Sequence, residues 1–205
     1  MISLYIDTSA TLSIGLLNEN FNWIKYSTTL ESKSSGVIHH LINELLLECG
    51  RSIVDVSKIF LANGPGSYTG VRVGEGIGQV FEWQEIETIS FHHFHVPFLS
   101  GIDKGMFICS AFKGEFLIYT WENLNVQQKL ISEHDLINLK ISSEHIYSNI
   151  NAEALPLNNK IYFTNDMIEQ FPAQIFKKLS DSKLRVEPFY FRNLNEEFKR
   201  EKKDK

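Results

Sequence analysis

Gly64-Pro65-Gly66-Ser67-Tyr68-Thr69-Gly70-Val71-Arg72-Val73-Gly74-Glu75-Gly76-Ile77-Gly78 is the stretch that decides the reading of this 205-residue chain. It follows the short apolar run Ile59-Phe60-Leu61, opens as a loop and continues as a helix to about residue 83. Gly70 stands at the start of that helix, and Gly74, Gly76 and Gly78 lie inside it. Each interior glycine costs a helix about 1 kcal/mol relative to alanine, so these three cost about 3 kcal/mol together. Gly70, Gly74 and Gly78 recur every four residues and share one face. A face without side chains lets another backbone come close. Two readings stay open: close packing on the chain's own sheet, or a flat contact face for a second helix. A third reading, phosphate held by loop amides at the helix N-terminus, lacks the lysine of a Walker A loop.

Upstream, Ile2 to Ile6 reads as a strand that ends at Asp7-Thr8-Ser9. A second strand covers 11–17, the polar turn Asn18-Glu19-Asn20 follows, and a third covers 21–28, giving an antiparallel meander. Polar residues from Ser32 to Ser35 end it. Val37, Ile38, Leu41, Ile42, Leu45 and Leu46 recur at helical spacing and predict a helix over 35–49, closed by Gly50. Thr88 to Ser90 lies near the end of another strand. Three strands, helix, strand, helix, strand is the order of the ribonuclease-H-like lobe of actin-like ATPases. The second half begins near Gly101, with strands over 106–112, 116–121 and 126–131 and a hairpin turn at Lys113-Gly114. Ser132 with Asp135 resembles a capping box. Asn165 is expected to cap a helix to about 179 with Met167, Ile168, Phe171, Ile175 and Leu179 on one face, kinked at Pro172. No sequence repeat is visible. The expected division is a lobe at 1–100 and a smaller one at 101–205 with a charged, frayed tail over 199–205.

A hydrophobic content of 43% supports a packed core. The formal net charge of −5 argues against a dedicated nucleic-acid clamp. Cys49 and Cys109 are far apart, hint at no disulfide framework and suit a reducing cytosol. The opening apolar stretch is too short for a signal peptide, and no run approaches the ~20 apolar residues of a membrane helix. The expectation is a cytoplasmic protein with no membrane partner.

Ile6-Asp7-Thr8-Ser9 and above all the run Gly64 to Gly74 resemble the TsaB (YeaZ) family, the non-catalytic partner in bacterial tRNA threonylcarbamoyladenosine synthesis. Lys113-Gly114-Glu115-Phe116 and Pro188-Phe189-Tyr190-Phe191-Arg192-Asn193 add to the resemblance. It implies a two-lobed α/β fold of the actin-like ATPase (ASKHA) class, here with a reduced second lobe. It also implies a heterodimer with a TsaD-like catalytic subunit, which transfers threonylcarbamoyl to adenosine 37 of tRNA, and a larger assembly with a TsaE-like ATPase. In the family the contact is formed by the helices expected here at 35–49 and 69–83. The candidate contact residues are Val37, Ile38, Leu41, Leu45, Gly70, Gly74 and Gly78. Without its partner the chain is expected to pair with a second copy, and tRNA is met only indirectly. Three departures fall near this contact: Ser34-Ser35 where the family often has His-Ser, Glu75 in place of an apolar residue, and Val80-Phe81-Glu82 in place of a small apolar ending. Two alternatives remain: an ATP-using small-molecule enzyme of the same fold, and a stand-alone homodimer.

Chemistry-bearing candidates are few. Asp7-Thr8-Ser9 stands where ATP-using members of the fold place an Asp-x-Gly phosphate loop, with Ser9 replacing the glycine and hindering close approach to phosphate. Asp7, Thr8 and Arg72 are the candidate nucleotide or phosphate contacts. Arg72 also suits a partner carboxylate or a surface ion pair. His92, His93 and His95 form a cluster without convergent carboxylates, and His39 and His40 are adjacent, so neither group is read as a metal site. No Gly-x-Ser-x-Gly elbow appears. The tail's Lys199, Arg200, Lys202, Lys203 and Lys205 are mixed with Glu201 and Asp204, which suits a solvated tail better than a tRNA contact. No catalytic residue and no cofactor is expected, with a nucleotide at the partner interface left open.

Overall fold

The computed structural model describes residues 1–29, 34–112, 114–123, 125–139, 141, 145–150 and 152–191, apart from the side chains of Ser34, Ser35 and Ala152. Strands β1 (Ile2–Asp7), β2 (Leu12–Leu17) and β3 (Trp23–Thr29) form the antiparallel meander. Helix α1 (Ser34–Glu48) leads to β4 (Val56–Ala62), and α2 (Tyr68–Trp83) leads to β5 (Glu87–Phe91). Both later strands run parallel to β1, giving the sheet order β3-β2-β1-β4-β5.

Alternation along these strands sorts the core into two layers. Leu4, Ile6, Ile14, Leu16, Ile59 and Leu61 face α1 and α2, where Ile38, Leu45, Ile77 and Phe81 meet them. Tyr5, Leu17, Phe60, Ile89 and Phe91 face the other way. That second face is covered by a helix from the far end of the chain, α6 (Pro172–Ser182). A sheet covered on both faces explains why β1, β2 and β4 read as nearly unbroken apolar runs.

After β5 the chain makes a 3₁₀ turn at His93–His95 and a short helix α3 (Val96–Leu99). A second sheet follows: β6 (Lys104–Ser110), β7 (Glu115–Glu122), β8 (Asn125–Ser132), β9 (Ile146–Ser148) and β10 (Ile161–Phe163), in the order β10-β9-β6-β7-β8. β6, β7 and β8 are antiparallel, while β9 and β10 run parallel to β6. The first sheet has the same connectivity, so the topology repeats where the sequence shows no repeat. The reduction of the second half lies in its helices. Where α1 has 15 residues, α4 (Glu133–Asn138) has 6. Where α2 has 16, a 3-residue turn at Ala152–Ala154 stands between β9 and β10.

The Ser132 cap forms as expected: the Asp135 amide donates to Ser132 Oγ at 3.1 Å. The single kinked helix over 165–179 is corrected to two, α5 (Thr164–Gln170) and α6 (Pro172–Ser182). Proline at the first position of α6 lacks the amide that would have continued α5, and Phe163 rather than Asn165 flanks α5. β9 and β10 have three residues each and were below the reach of a periodicity reading. Lys113, Arg192, Asn193 and the tail 199–205 lie outside the described residues. No helix among the described residues is long and apolar enough to cross a membrane.

Candidate functional site

Asp7 ends β1 and Ser148 ends β9, so the carboxyl ends of parallel strands from both sheets meet in one cleft. In open α/β sheets this is where ligands bind. Here the cleft is filled by the chain itself. His93 and Asp7 are both fully buried, with His93 Nε2 3.0 Å from Asp7 Oδ2. His93 Nδ1 lies 2.9 Å from Thr164 Oγ1, whose own hydroxyl donates to the Ser148 carbonyl. Ser9 Oγ donates to Asp7 Oδ1 at 2.7 Å and sits 3.2 Å from His93 Nε2. With both hydroxyl protons used elsewhere, each ring nitrogen faces an acceptor, and the imidazole ties β1, β9 and α5 together. His92 and His95 do not join it. His92 Nε2 donates to the Glu187 carbonyl, and His95 Nδ1 accepts from the His92 amide. The three histidines therefore diverge, and among the described residues no group of three His, Cys, Asp or Glu side chains could hold a metal ion.

The glycine loop closes the cleft from the other side. The Ser67 amide donates to the Ser9 carbonyl at 2.6 Å, and Thr8 Oγ1 donates to the Gly70 carbonyl at 2.7 Å. A Cβ on Gly66 would lie 2.1 Å from the Ser9 carbonyl oxygen, and one on Gly70 would lie 1.8 Å from that of Thr8. The two loops that would cradle phosphate thus bond directly to each other. Asp7 and Thr8, two of the candidate phosphate contacts, are buried in this junction, and Arg72 is not with them. It is exposed on another face of α2.

The glycine stripe is corrected as a partner contact. A Cβ on Gly74 would be 3.0 Å from Leu61 and one on Gly78 3.2 Å from it, so Gly70, Gly74 and Gly78 face the chain's own sheet and first loop. Ile38 and Leu45 are likewise buried in the core, and Val37 and Leu41 pack against it. An apolar stripe at helical spacing marks whichever face is buried, and here the sheet buries it. Of the four glycines of α2, the one that faces open space is Gly76.

Gly76 belongs to a second surface. Between α1 and α2 runs an open groove of about 860 Å³, lined by Ile42, Leu46, Val54, Val73, Ile77 and Val80 among others. Val54 is 86% exposed and Val80 51%, and nearby on α2 Trp83 is 77% exposed. The sequence carried a signal for this surface that the reading passed over. The doubled pairs Val37-Ile38, Leu41-Ile42 and Leu45-Leu46 make a stripe wider than one sheet needs. The departures also find their places. Phe81 fills the core, and Glu75 and Glu82 both bind Arg185, at 2.7 Å and 2.8 Å. The side chain of Ser34 lies outside the described residues.

Two five-stranded α/β sheets of one connectivity, meeting at the ends of their parallel strands, define a two-lobed protein of the actin-like ATPase fold. Residues 29–170 match the model of the family "TsaD: tRNA N6-adenosine threonylcarbamoyltransferase". The tRNA threonylcarbamoyladenosine biosynthesis protein TsaB of Bacillus subtilis is 42% identical over 84 residues, which is 40% of this chain and 37% of that protein's length. The structure of YeaZ from Pseudomonas aeruginosa superimposes with a TM-score of 0.61 at 16% identity, covering 90% of this chain and 98% of that one. A crystal structure described as an uncharacterized protein with similarity to peptidase YEAZ from Pseudomonas aeruginosa gives 0.65 at 15% identity, covering 93% and 99%. The chain belongs to the TsaD family, on its TsaB/YeaZ side.

Proposed function

We propose that this chain is the non-catalytic subunit of a tRNA threonylcarbamoyladenosine-modifying complex, and that it seats a TsaD-like catalytic subunit in the groove between α1 and α2. The observation that carries this reading is the groove itself: about 860 Å³, open, apolar, and flanked by exposed Val80 and Trp83. Large apolar side chains left bare on adjacent elements mark an interaction surface, and aromatic anchors contribute most to such contacts. The direct bonding of the Asp7-Thr8-Ser9 loop to the glycine loop weighs against the ATP-using alternative, because it takes the room a phosphate would need. The groove helices pass activation to the partner by ordering it, with no bond made or broken by this chain. When the partner is absent, a second copy covers the same groove. A TsaE-like ATPase and tRNA enter only through the assembled pair.

The test is gel filtration of the purified chain with the TsaD-like subunit from the same source, beside a Val80→Asp variant of unchanged thermal stability. A 1:1 peak that restores threonylcarbamoylation of tRNA, and is lost in Val80→Asp, is the expected result. A complex that survives Val80→Asp, or none at all with or without nucleotide, overturns the reading.

A further inference from the structure

Resting on that reading of the groove, the geometry points to Arg72 as its charge anchor: we infer that it selects a carboxylate beside the apolar stripe of the helix that docks there. Among the described residues lining the groove, Arg72 carries a permanent charge and none is a carboxylate. The chain as a whole is acidic, at −5. A lone cation on an apolar groove in an acidic protein is a local reversal of sign. The surface ion pair that would account for it within the chain is not formed among the described residues. The nearest acids on α2, Glu75 and Glu82, are held by Arg185 instead.

Arg72 is also held in place. Its guanidinium lies over the Tyr68 ring at 5.4 Å, and Nη1 is 3.4 Å from the Tyr68 hydroxyl. Tyr68 in turn packs on Tyr190 with ring centroids 5.0 Å apart. Tyr190 follows Phe189, whose amide donates to the Asn63 carbonyl at 3.0 Å. The C-terminal segment thus fixes Tyr68, and Tyr68 fixes Arg72. A prealigned guanidinium loses less freedom on pairing and matches a carboxylate two-pronged. An arginine covered by a docking helix must also be given a counter-charge, since an unpaired buried charge is costly. Complementary charge at such a rim sets the register of the docked helix and speeds encounter.

The test measures binding of the full chain to the TsaD-like subunit, without nucleotide, at low and high salt. Wild type is compared with Arg72→Gln, Arg72→Glu, Tyr190→Ala and Val80→Asp. Arg72→Gln is expected to weaken binding about 10- to 100-fold and Arg72→Glu further. Arg72→Gln should also flatten the salt dependence of the association rate, and Tyr190→Ala should weaken binding by a smaller factor. One Asp or Glu on the partner's docking helix, reversed to Arg, should restore binding to Arg72→Glu. If Val80→Asp abolishes binding while both Arg72 variants bind like wild type, the anchor is wrong and the groove reading stands. If all variants bind like wild type, both fall. An effect of Arg72→Gln seen only with nucleotide present would make Arg72 a phosphate ligand and overturn the carboxylate.

Discussion

Arg185 holds Glu75 in a two-pronged pair, Nη2 to Oε1 at 2.7 Å and Nη1 to Oε2 at 3.1 Å, across 110 residues of sequence. Its Nε reaches Glu82 Oε1 at 2.8 Å. Burial alone would raise the Glu75 pKa, but the bonds from Arg185 and Asn63 outweigh it and hold the carboxyl below its usual range. Two acids that look misplaced on a helix expected to meet a partner are therefore a clamp for the chain's own C-terminal segment. Arg185→Ala leaves a half-buried carboxylate without its cation and should cost about 2 kcal/mol, read by urea denaturation. Arg185→Lys should recover only part of that, because a point charge cannot serve both prongs and Glu82 together.

The His93–Asp7 pair makes a stronger demand. Both groups are fully buried, so removing the imidazole leaves Asp7 Oδ2 without that partner between the lobes. His93→Ala should cost about 3–5 kcal/mol. Thr164→Val removes one acceptor and should cost about 1–3 kcal/mol. Equilibrium denaturation of the two variants checks the ranking. Equal losses would mean that the His93–Asp7 contact adds nothing beyond an ordinary hydrogen bond.

The first sheet was legible because local signals suffice for it. Apolar runs ended by Asp7 and by Asn18-Glu19-Asn20 fix the meander, and the glycine loop fixes the entry to α2. The clamp and the cleft were not legible, because Arg185 with Glu75, and His93 with Asp7, are joined only by the tertiary fold. The orientation of α2 stayed open in the sequence for a related reason. A stripe of small residues shows that something comes close, and only the fold shows that the neighbours are Thr8 and Leu61. The second sheet's last strands were missed because three residues, such as Ile146-Tyr147-Ser148, carry no measurable period.

Acid should lower the stability of the fold through His92 and His95. Burial, more than the neighbouring histidine charges, pushes both pKa values down from 6.5 to about 4. The Glu187 carbonyl bonded to His92 opposes that shift only in part. Between these values the unfolded chain binds more protons than the folded one. Stability present above pH 6.5 should therefore fall as pH drops toward 4. The double variant His92→Gln/His95→Gln should show a shallower fall, by up to about two protons, in denaturation curves taken across that range. An unchanged slope would place the acid sensitivity elsewhere.

The four glycines of α2 should divide three to one. Alanine at Gly70 sets a Cβ 1.8 Å from the Thr8 carbonyl oxygen, where backbone meets backbone and neither can yield. That variant should lose about 3 kcal/mol or more. Gly74→Ala meets Thr8 Oγ1 at 2.7 Å and Leu61 at 3.0 Å, and Gly78→Ala meets Leu61 at 3.2 Å. Their side-chain neighbours can shift, so their losses should be smaller and in that order. Gly76 has nothing within 4 Å of its missing Cβ, and Gly76→Ala should stabilise the helix by about 1 kcal/mol. Melting temperatures of the four variants measure the contrast. A larger residue at Gly74 would therefore disturb the fold before it reached any partner, and Val80, exposed on the groove, is the position that separates docking from folding.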